Sequence, residues 1–256
     1  MTSFRESLFK LIDRVVVISI PSAIDRQDDM RRLLRGHSIP FEFHWGRDCT
    51  KSSVQQLTAE GHYSPAAREK LRRPSLTPAE IGCALSHRDL AINVATGNER
   101  VLVLEDDVTI AEGNLGRFSE AANRSPSWNL AYLGYQAMNL KPSLGVWLKL
   151  YTYYPISHAL GNDRHNPATI RRIYRWNLDD HWSFAGWFNG AYAYAMDQNA
   201  AGWIARSQTP VSMEADLALN HLVRFSRLTC LCLNDAVLDP RWDIPSVIGK
   251  RPSWKD

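Results

Sequence analysis

The chain has 256 residues, a length that fits one large α/β domain or one domain with a small appendage. Its hydrophobic fraction of 45% and charged fraction of 22% are those of a folded globular protein, which excludes a disordered chain. A net charge of +3 is too small for a nucleic-acid-binding surface, and no apolar run reaches the roughly 18 residues of a membrane span. We therefore expect a cytoplasmic protein without nucleic-acid partners.

The first residues predict a short amphipathic helix. Charged residues interrupt the apolar ones throughout, so the apolar run of a signal peptide is missing. The apolar positions are Phe4, Leu8, Phe9, Leu11 and Ile12. We expect this helix to pack against the domain, and peripheral contact with the inner membrane is the alternative.

Residues 15–45 have the pattern of a β-α-β unit. The β-branched run 15–20 predicts a strand that is buried on both faces, as in a parallel sheet. Residues 25–35 are amphipathic with a helical period, and residues 41–45 alternate like a second strand. Because the crossover between parallel strands is right-handed, the ends of both strands should lie along one edge of the sheet.

The strongest helix signal begins at Thr77. Thr77 is a typical N-cap, Pro78 suits the first helical position and Glu80 completes a capping box. The helix should continue to about residue 95. A second buried strand, 101–104, follows it and leads directly into an acidic triplet.

The rest of the chain predicts further strands and two irregular segments. Residues 50–75 are polar and basic, and we expect a mobile excursion with a short helix. Residues 137–182 are aromatic and basic without a clean period, which predicts a long, variable excursion over the site. We therefore predict one α/β domain over residues 1–256, with a mostly parallel, Rossmann-like central sheet flanked by helices.

The acidic triplet Glu105-Asp106-Asp107 is the sharpest chemical feature of the sequence. Side chains alternate along a strand, so Glu105 and Asp107 should share a face while Asp106 points the other way. Two carboxylates about 6 Å apart repel by roughly 3 kcal/mol at an effective dielectric of 20. A divalent cation with hard oxygen ligands, Mn²⁺ or Mg²⁺, relieves that repulsion. The alternative is a solvated turn after an edge strand.

Phosphatases of the haloacid dehalogenase type offer a competing interpretation of the same residues. They carry Asp-x-Asp-x-Thr after an apolar strand, and Glu105-x-Asp107-x-Thr109 has that spacing. The first residue here is Glu, whose carboxylate extends one methylene too far for the nucleophile. Its position, far from the start of the chain, also disfavours this class.

Four segments together resemble glycosyltransferase family 25, the lipopolysaccharide-type enzymes related to collagen galactosyltransferases. In chain order they are VVVISIPSAIDRQDDM, WGRDC, LTPAEIGCALSHRDL and VLVLEDDV, and GAYAYAMDQNAAGWI is a weaker fifth match. The resemblance implies a GT-A type fold, a UDP-sugar donor, often UDP-galactose, with Mn²⁺, and inversion at the anomeric carbon.

The same resemblance implies roles for individual residues. Asp107 would ligate the metal, and Glu105 would reach the metal or the ribose. The family often has Asn-Leu where this chain has Ser19-Ile20, which weakens the transfer of nucleotide contacts to Ser19. The candidates for binding the nucleotide and its metal are Ser19, Arg26, Asp48, Ser86, His87, Glu105 and Asp106.

An inverting transfer also needs a base that deprotonates the acceptor hydroxyl. Glu214 and Asp216 are the candidates, and the sequence leaves the choice between them open. The alternative is that both are surface carboxylates at a helix start, where the helix dipole favours them.

The sequence thus predicts a metal-dependent inverting glycosyltransferase that moves a hexose, galactose as first candidate, to a glycan, glycolipid or peptide hydroxyl. Trp147, Trp176, Trp182 and Trp187 lie in or beside the second excursion and suggest a stacking platform for the acceptor. The alternatives are a metal-dependent phosphohydrolase or nucleotidyltransferase, and a non-catalytic protein that binds a nucleotide sugar or a glycan. A glycine-rich phosphate loop, which the first alternative would need, is missing after the first strand.

Overall fold

The computed structural model describes residues 3–137, 141–241 and 243. Within these residues, helices and strands alternate along most of the chain. The helices are α1 Phe4–Leu11, α2 Ile24–Gly36, α3 Val54–Ala59, α4 Pro65–Lys70, α5 Pro78–Ala95, α6 Leu115–Asn123, α7 Leu144–Tyr151, α8 Tyr153–Ala159, α9 Pro167–Arg171, α10 Gln198–Ser207 and α11 Ala215–Phe225. The strands are β1 Arg14–Ser19, β2 Glu42–Trp45, β3 Val101–Glu105, β4 Val108–Ile110, β5 Leu130–Ala137, β6 Trp176–Asn177, β7 Trp182–Phe184, β8 Phe188–Met196, β9 Cys230–Leu233 and β10 Leu238–Pro240.

Eight strands form the central sheet in the order β2-β1-β3-β8-β5-β9-β7-β6. The pairs β1–β2, β1–β3 and β5–β9 are parallel, whereas β8 is antiparallel to both of its neighbours, β3 and β5. Six of the eight strands point the same way, and β7 and β8 point the opposite way. The predicted α/β class with a mostly parallel central sheet is therefore confirmed. A separate two-stranded ribbon pairs β4 with β10.

Apolar layers cover both faces of this sheet, which explains the unbroken β-branched run in β1. Val15 and Val17 point into a core shared with α1, α2 and α6. Val16 and Ile18 point into the opposite core, which α5, α10 and α11 cover. Because successive side chains of a strand alternate between faces, a strand that is buried on both sides must be apolar at every position.

The N-terminal helix α1 packs on the domain, as expected from the sequence. Ser3 caps it, and the side chain of Glu6 completes a capping box. Leu8 and Leu11 are buried, and the ring of Phe4 meets Phe118 of α6 edge-on at 5.3 Å. The apolar side of this helix is thus covered by protein. Within the described residues, none of the helices combines the length and apolar character needed to cross a membrane.

The first irregular segment contains two short helices, α3 and α4, where the sequence predicted one. Leu57, Tyr63 and Leu76 bury their side chains in a small core together with Ile81 of α5. A parallel bridge between Tyr63 and Val211 ties the segment to the chain before α11. This segment is therefore packed against the domain by specific contacts rather than projecting from it.

The second irregular segment contains α7, α8, α9, β6 and β7. Trp182 is fully buried, and its indole Nε1 donates a hydrogen bond to the carbonyl of Ala121 at 3.1 Å. The interpretation of Trp182 as part of an acceptor platform is therefore wrong, because its ring packs in the core. Trp147 remains exposed and lies against Tyr151, with ring centroids 4.9 Å apart.

Candidate active site

The acidic triplet stands at the carboxyl end of β3, in the middle of the sheet. The strand ends at Glu105, and Asp106 and Asp107 form the turn that leads into β4. Strand alternation therefore does not govern Asp107, contrary to the expectation from the sequence. The three carboxylates instead take their directions from the residues around them.

Asp106 is buried and held by two donors. Its Oδ2 accepts a hydrogen bond from Ser19 Oγ at 2.5 Å, and its Oδ1 accepts one from Arg26 Nη1 at 2.9 Å. Ser19 and Asp106, both predicted to contact the nucleotide, therefore bind each other. Their shared contact fixes the triplet to the end of β1 and the start of α2.

Asp107 lies in an environment that penalises its ionised form. Burial and the nearby Glu105 raise the pKa of its carboxyl group to about 6. Arg26 opposes this shift, because its Nη1 is 3.5 Å from Asp107 Oδ2. The main chain is fixed as well, since the backbone oxygen of Asp107 accepts a hydrogen bond from Arg241 N at 2.6 Å. The site thus concentrates negative charge that one guanidinium compensates only in part.

Glu105 faces the imidazole of His87 on α5. His87 Nε2 is 3.3 Å from Glu105 Oε1, but the approach lacks the geometry of a hydrogen bond, so this buried nitrogen has no hydrogen-bond partner among the described residues. The other ring nitrogen, Nδ1, is 2.9 Å from the hydroxyl of Tyr194. A histidine oriented by a second group on one nitrogen, with the other nitrogen facing a carboxylate, is a typical arrangement of a metal ligand.

Cys83 lies one helical turn before His87 and completes a three-residue donor set. One donor atom from each of Cys83, His87 and Glu105 lies within 4.8 Å of the other two. Burial, followed by the charge of Glu105, raises the pKa of the Cys83 thiol well above its usual value. The sequence analysis missed Cys83, although its i, i+4 spacing from His87 would have placed both on one helix face. Imidazole, thiol and carboxylate groups at this spacing are donors that could hold a divalent cation.

Ser86 has a structural contact on the same helix. Its Oγ donates a hydrogen bond to the Gly82 carbonyl at 2.7 Å and accepts one from Arg47 N at 2.9 Å. Gly82 permits this close approach, because a Cβ at position 82 would lie 2.5 Å from the Arg47 carbonyl oxygen. The hydroxyl predicted to contact the nucleotide thus ties α5 to the loop after β2.

Asp48 lies in that same loop, after β2, and is exposed. It accepts hydrogen bonds from the backbone N–H and the hydroxyl of Thr50, at 3.0 and 2.6 Å. These bonds lower the pKa of Asp48. The residue is therefore an ionised hydrogen-bond acceptor at the mouth of the site.

One pocket between β1, β3 and α5 gathers the residues that the sequence analysis assigned to the nucleotide and the metal. Each of them contributes to its lining: Ser19, Arg26, Asp48, Ser86, His87, Glu105, Asp106 and Asp107. The first and last of them are 88 positions apart in the sequence, so the fold brings them together as the β-α-β pattern indicated.

A second cavity adjoins the first, because Cys83 and Glu105 border both. Glu214 and Asp216, the two candidate bases, line this second cavity. Glu105 therefore borders both the cavity lined by Asp107, the other predicted metal ligand, and the cavity lined by the two candidate bases.

The two candidate bases differ in their surroundings. Glu214 is buried and receives two hydrogen bonds from the guanidinium of Arg68, at 2.6 and 2.8 Å. Asp216 is partly buried, and its oxygens accept bonds from the backbone N–H groups of Leu217 at 2.8 Å and Gly190 at 3.4 Å. The sequence analysis missed Arg68, and nothing in the local pattern of α4 signals a partner 146 residues away.

Comparison with known proteins identifies the family of this chain. The family model described as glycosyltransferase family 25 (LPS biosynthesis protein) matches residues 12–219. A human relative named "Inactive glycosyltransferase 25 family member 3" is 30% identical over 58% of this chain and 27% of its own length. Mouse "Procollagen galactosyltransferase 2" is 30% identical over 58% of this chain and 26% of its own length. A Drosophila "Glycosyltransferase 25 family member" is 27% identical over 48% of this chain and 21% of its own length.

The matched region thus spans about a quarter of the length of these relatives, one of which is named as inactive and another as a galactosyltransferase. The family itself follows from the family model, which covers well over half of the chain and includes every residue of the site. The chain belongs to glycosyltransferase family 25.

Proposed function

We propose that this chain is a metal-dependent, inverting glycosyltransferase. It transfers a hexose, galactose as first candidate, from a UDP-sugar to a hydroxyl of a glycan, glycolipid or peptide. The observation that carries the proposal is the position of the acidic cluster at the end of β3. Asp107 lines one cavity, and Glu105 lines both this cavity and a second one, which Asp216 also lines. A donor and an acceptor need such adjoining spaces on either side of the reacting carbon.

On the donor side, the proposed ligands of the cation are Glu105 and Asp107, with His87 Nε2 and Cys83 as further donors. Mn²⁺ or Mg²⁺ bound there would stabilise the negative charge that develops on the leaving diphosphate. Arg26 would also stabilise the negative charge of the diphosphate, because its guanidinium already lies beside Asp106 and Asp107. Asp48, ionised at the mouth of the pocket, accepts a hydrogen bond from the ribose or the uracil.

On the acceptor side, we propose Asp216 as the base. An inverting transfer takes the acceptor proton on the sugar face opposite the leaving group, and a carboxylate oxygen of Asp216 receives that proton. The backbone N–H groups of Leu217 and Gly190 orient the carboxylate. Glu214 is the weaker candidate, because the bidentate ion pair with Arg68 stabilises its ionised form and occupies both of its oxygens.

A non-catalytic nucleotide-sugar-binding protein is the second candidate. It is favoured by one specific observation, the 30% identity to a human relative whose name states that it is inactive. Turnover separates the two candidates, since a binding protein would hold the UDP-sugar without releasing UDP.

The decisive measurement is the release of UDP from a panel of UDP-sugars with Mn²⁺, with and without a chelator. We expect slow hydrolysis of one donor that depends on the metal and that Asp107→Ala abolishes. The matched control is Glu99→Gln, which alters a surface ion pair with Arg14. Arg14 begins β1, at the opposite end of the strand from the site, so this variant should keep the activity. Binding of the donor without any UDP release would contradict the proposal, as would full activity of Asp107→Ala.

A second pair of variants tests the assignment of the base. Asp216→Asn should reduce transfer by roughly 10²- to 10⁴-fold, the usual contribution of a general base, without loss of donor binding. Glu214→Gln should reduce the free energy of unfolding by about 3 kcal/mol, because it leaves the charge of Arg68 buried and unpaired. Transfer rates and urea unfolding of both variants give the comparison. If Glu214→Gln folds normally and lacks transfer while Asp216→Asn retains it, the two roles must be exchanged.

A further inference from the structure

The exposed large apolar side chains of the described residues are concentrated in one stretch of the chain. Of the thirteen such side chains, seven lie between residues 144 and 160. They are Leu144, Trp147, Leu148, Tyr151, Tyr153, Ile156 and Leu160. Soluble surfaces normally carry such residues singly, so a group of seven in two adjacent helices indicates a binding surface.

These residues form outward stripes on α7 and α8. In α7, Leu144, Trp147, Leu148 and Tyr151 follow the i, i+3, i+4, i+7 spacing that places them on one face of a helix. Leu144 is 74% exposed and Leu148 is 50% exposed. The stripe of an ordinary surface helix faces the core, whereas this one faces solvent.

Other contacts already attach α7 and α8 to the domain. Leu150 is buried, and both α7 and α8 contact α9. The outward stripe is therefore additional to the apolar contacts that attach the helices to the domain. Folding of the chain does not explain it, and a ligand or partner does.

The charges of this segment point to an anionic partner. Residues 141–175 contain six Lys and Arg residues and one Asp, a net charge of +5 in a chain whose total is +3, so the remainder of the chain is net negative. Lys141, Lys149 and Arg164 are exposed. An exposed apolar stripe in a segment whose exposed charged groups are mostly basic is the combination that binds the interface of an anionic bilayer.

The position in the fold is compatible with such a role. The segment leaves the sheet after β5, which points the same way as β3. β5 ends at Ala137, at the same end of the sheet at which Glu105 ends β3.

We infer that α7 and α8 bind the surface of an anionic phospholipid bilayer. The apolar stripes insert among the headgroups and acyl chains, and the basic residues contact the lipid phosphates. The helix α1, which the sequence had suggested for membrane contact, does not take part, because α6 covers its apolar side. The inference does not depend on the proposed transferase activity.

Flotation of the full chain with vesicles tests the inference. Vesicles of phosphatidylcholine alone are compared with vesicles that also contain phosphatidylglycerol, at low and high salt. We expect binding to the anionic vesicles that weakens with salt and a much smaller bound fraction on phosphatidylcholine alone. Failure of the wild-type chain to bind anionic vesicles would overturn the inference.

Variants assign the binding to the stripe. Leu144→Ser combined with Leu148→Ser should lower the partition coefficient roughly tenfold or more, since two exposed aliphatic side chains are lost. Lys149→Glu should lower it by a similar factor on anionic vesicles only. Phe225→Ser, at an exposed apolar residue on α11, is the control that should bind like the wild type. Because these side chains are exposed, circular dichroism and thermal unfolding should show all variants to be folded.

The same variants distinguish a membrane surface from a protein interface. Light scattering gives the mass of each chain in solution. A wild-type dimer that the Leu144→Ser, Leu148→Ser variant converts to a monomer, without vesicle binding by either, would contradict the inference and assign the stripe to contacts between copies. Unchanged vesicle binding by that variant would contradict it as well. Neither measurement uses turnover, so its result is independent of the transferase assay.

Discussion

Asp107 is the residue at which the surroundings act most strongly on the chemistry of the site. Burial and Glu105 raise the pKa of its carboxyl group to about 6, from 3.8 in a model peptide. In the absence of a cation, a buried carboxylate that is ionised beside another carboxylate destabilises the fold. The same charge is what gives the site affinity for one.

This shift predicts how Asp107→Asn alters stability with pH. A folded-state pKa above the unfolded value means that Asp107 favours folding below pH 3.8 and loses that contribution as the pH rises through about 6. Without metal, the Asn variant should therefore be more stable than the wild type at neutral pH, by about 3 kcal/mol for a shift of this size. The difference should shrink towards zero near pH 4. Urea unfolding in the presence of a chelator measures both.

Asp48 is the matched control for this effect, because its shift has the opposite sign. Thr50 lowers the pKa of Asp48, so ionised Asp48 stabilises the fold above its unfolded pKa. Asp48→Asn should thus be less stable than the wild type at neutral pH. If Asp107→Asn also loses stability at neutral pH, then ionised Asp107 does not destabilise the fold as its raised pKa predicts.

The sequence identified the carboxylates of the site but not all of their partners. Glu105 and Asp107 were recognisable because three acids directly follow an apolar strand. Arg68 was not recognisable, because its partner Glu214 lies in a distant part of the chain. A single buried ion pair does not produce a repeating pattern in the sequence. Tyr194 likewise occurs in a strand of small residues, and its hydroxyl contact with His87 depends on the register between β8 and β3.

Among the elements, α5 carries the largest share of the site, and its position depends on one glycine. Gly82 allows the helix to approach the loop after β2, and a Cβ there would lie 2.5 Å from the Arg47 carbonyl oxygen. Backbone atoms cannot move aside as the end of a flexible side chain can. The helix would have to shift, and with it Cys83 and His87.

Gly82→Ala should therefore destabilise the fold by about 1–3 kcal/mol, the usual cost of overpacking. Gly116→Ala provides the contrast, since a Cβ at position 116 of α6 meets no atom within 4 Å. That variant should be neutral or more stable by up to about 1 kcal/mol, because alanine favours a helix more than glycine does. Chemical unfolding of both variants tests the idea, which fails if Gly82→Ala is as stable as the wild type.

Elements with strong local signals were predicted well, and elements defined by distant contacts were not. The start of α5 was evident from Thr77, Pro78 and Glu80, and the structure contains that capping box. The helices α7 and α8 were missed, because their apolar residues do not form a single buried face. In α7, Leu150 is buried while Leu148 is exposed, so the contrast between an apolar and a polar side that marks a surface helix is weak.

At the scale of the whole molecule, ligands of the site should stabilise the entire fold. The residues of the two cavities come from β1, α2, α5, β3, β8 and α11, so a bound ligand contacts elements from both sides of the sheet. A ligand that binds only the folded state stabilises it by about 2.7 kcal/mol at one hundred times its dissociation constant. We expect Mn²⁺ with UDP to raise the melting temperature accordingly.

Thermal unfolding with and without Mn²⁺ and UDP measures this effect. Asp107→Ala should remove the shift caused by the metal, and Glu99→Gln should keep it. A shift of the same size in Asp107→Ala would show that the metal binds elsewhere on the chain.

The sheet shows how far topology can be read from sequence. The opening β-α-β unit predicted parallel strands with adjoining ends, and β1, β2 and β3 have that arrangement. The insertion of β8 between β3 and β5, antiparallel to both, was not predictable from local pattern. Strand direction depends on the path of residues 137–187, where the period is weak.

The contacts of the segment between β2 and α5 have a consequence for how the molecule tolerates change. Asp48 lies at the start of this segment. Two contacts attach the segment to the chain just before Asp216: the bridge from Tyr63 to Val211 and the ion pair of Arg68 with Glu214. These contacts fasten the wall around Asp48, proposed to bind the nucleotide, to the wall around Asp216, proposed to bind the acceptor. A substitution that moves either wall should therefore move the other as well. Specificity for the donor and specificity for the acceptor would then be expected to evolve together.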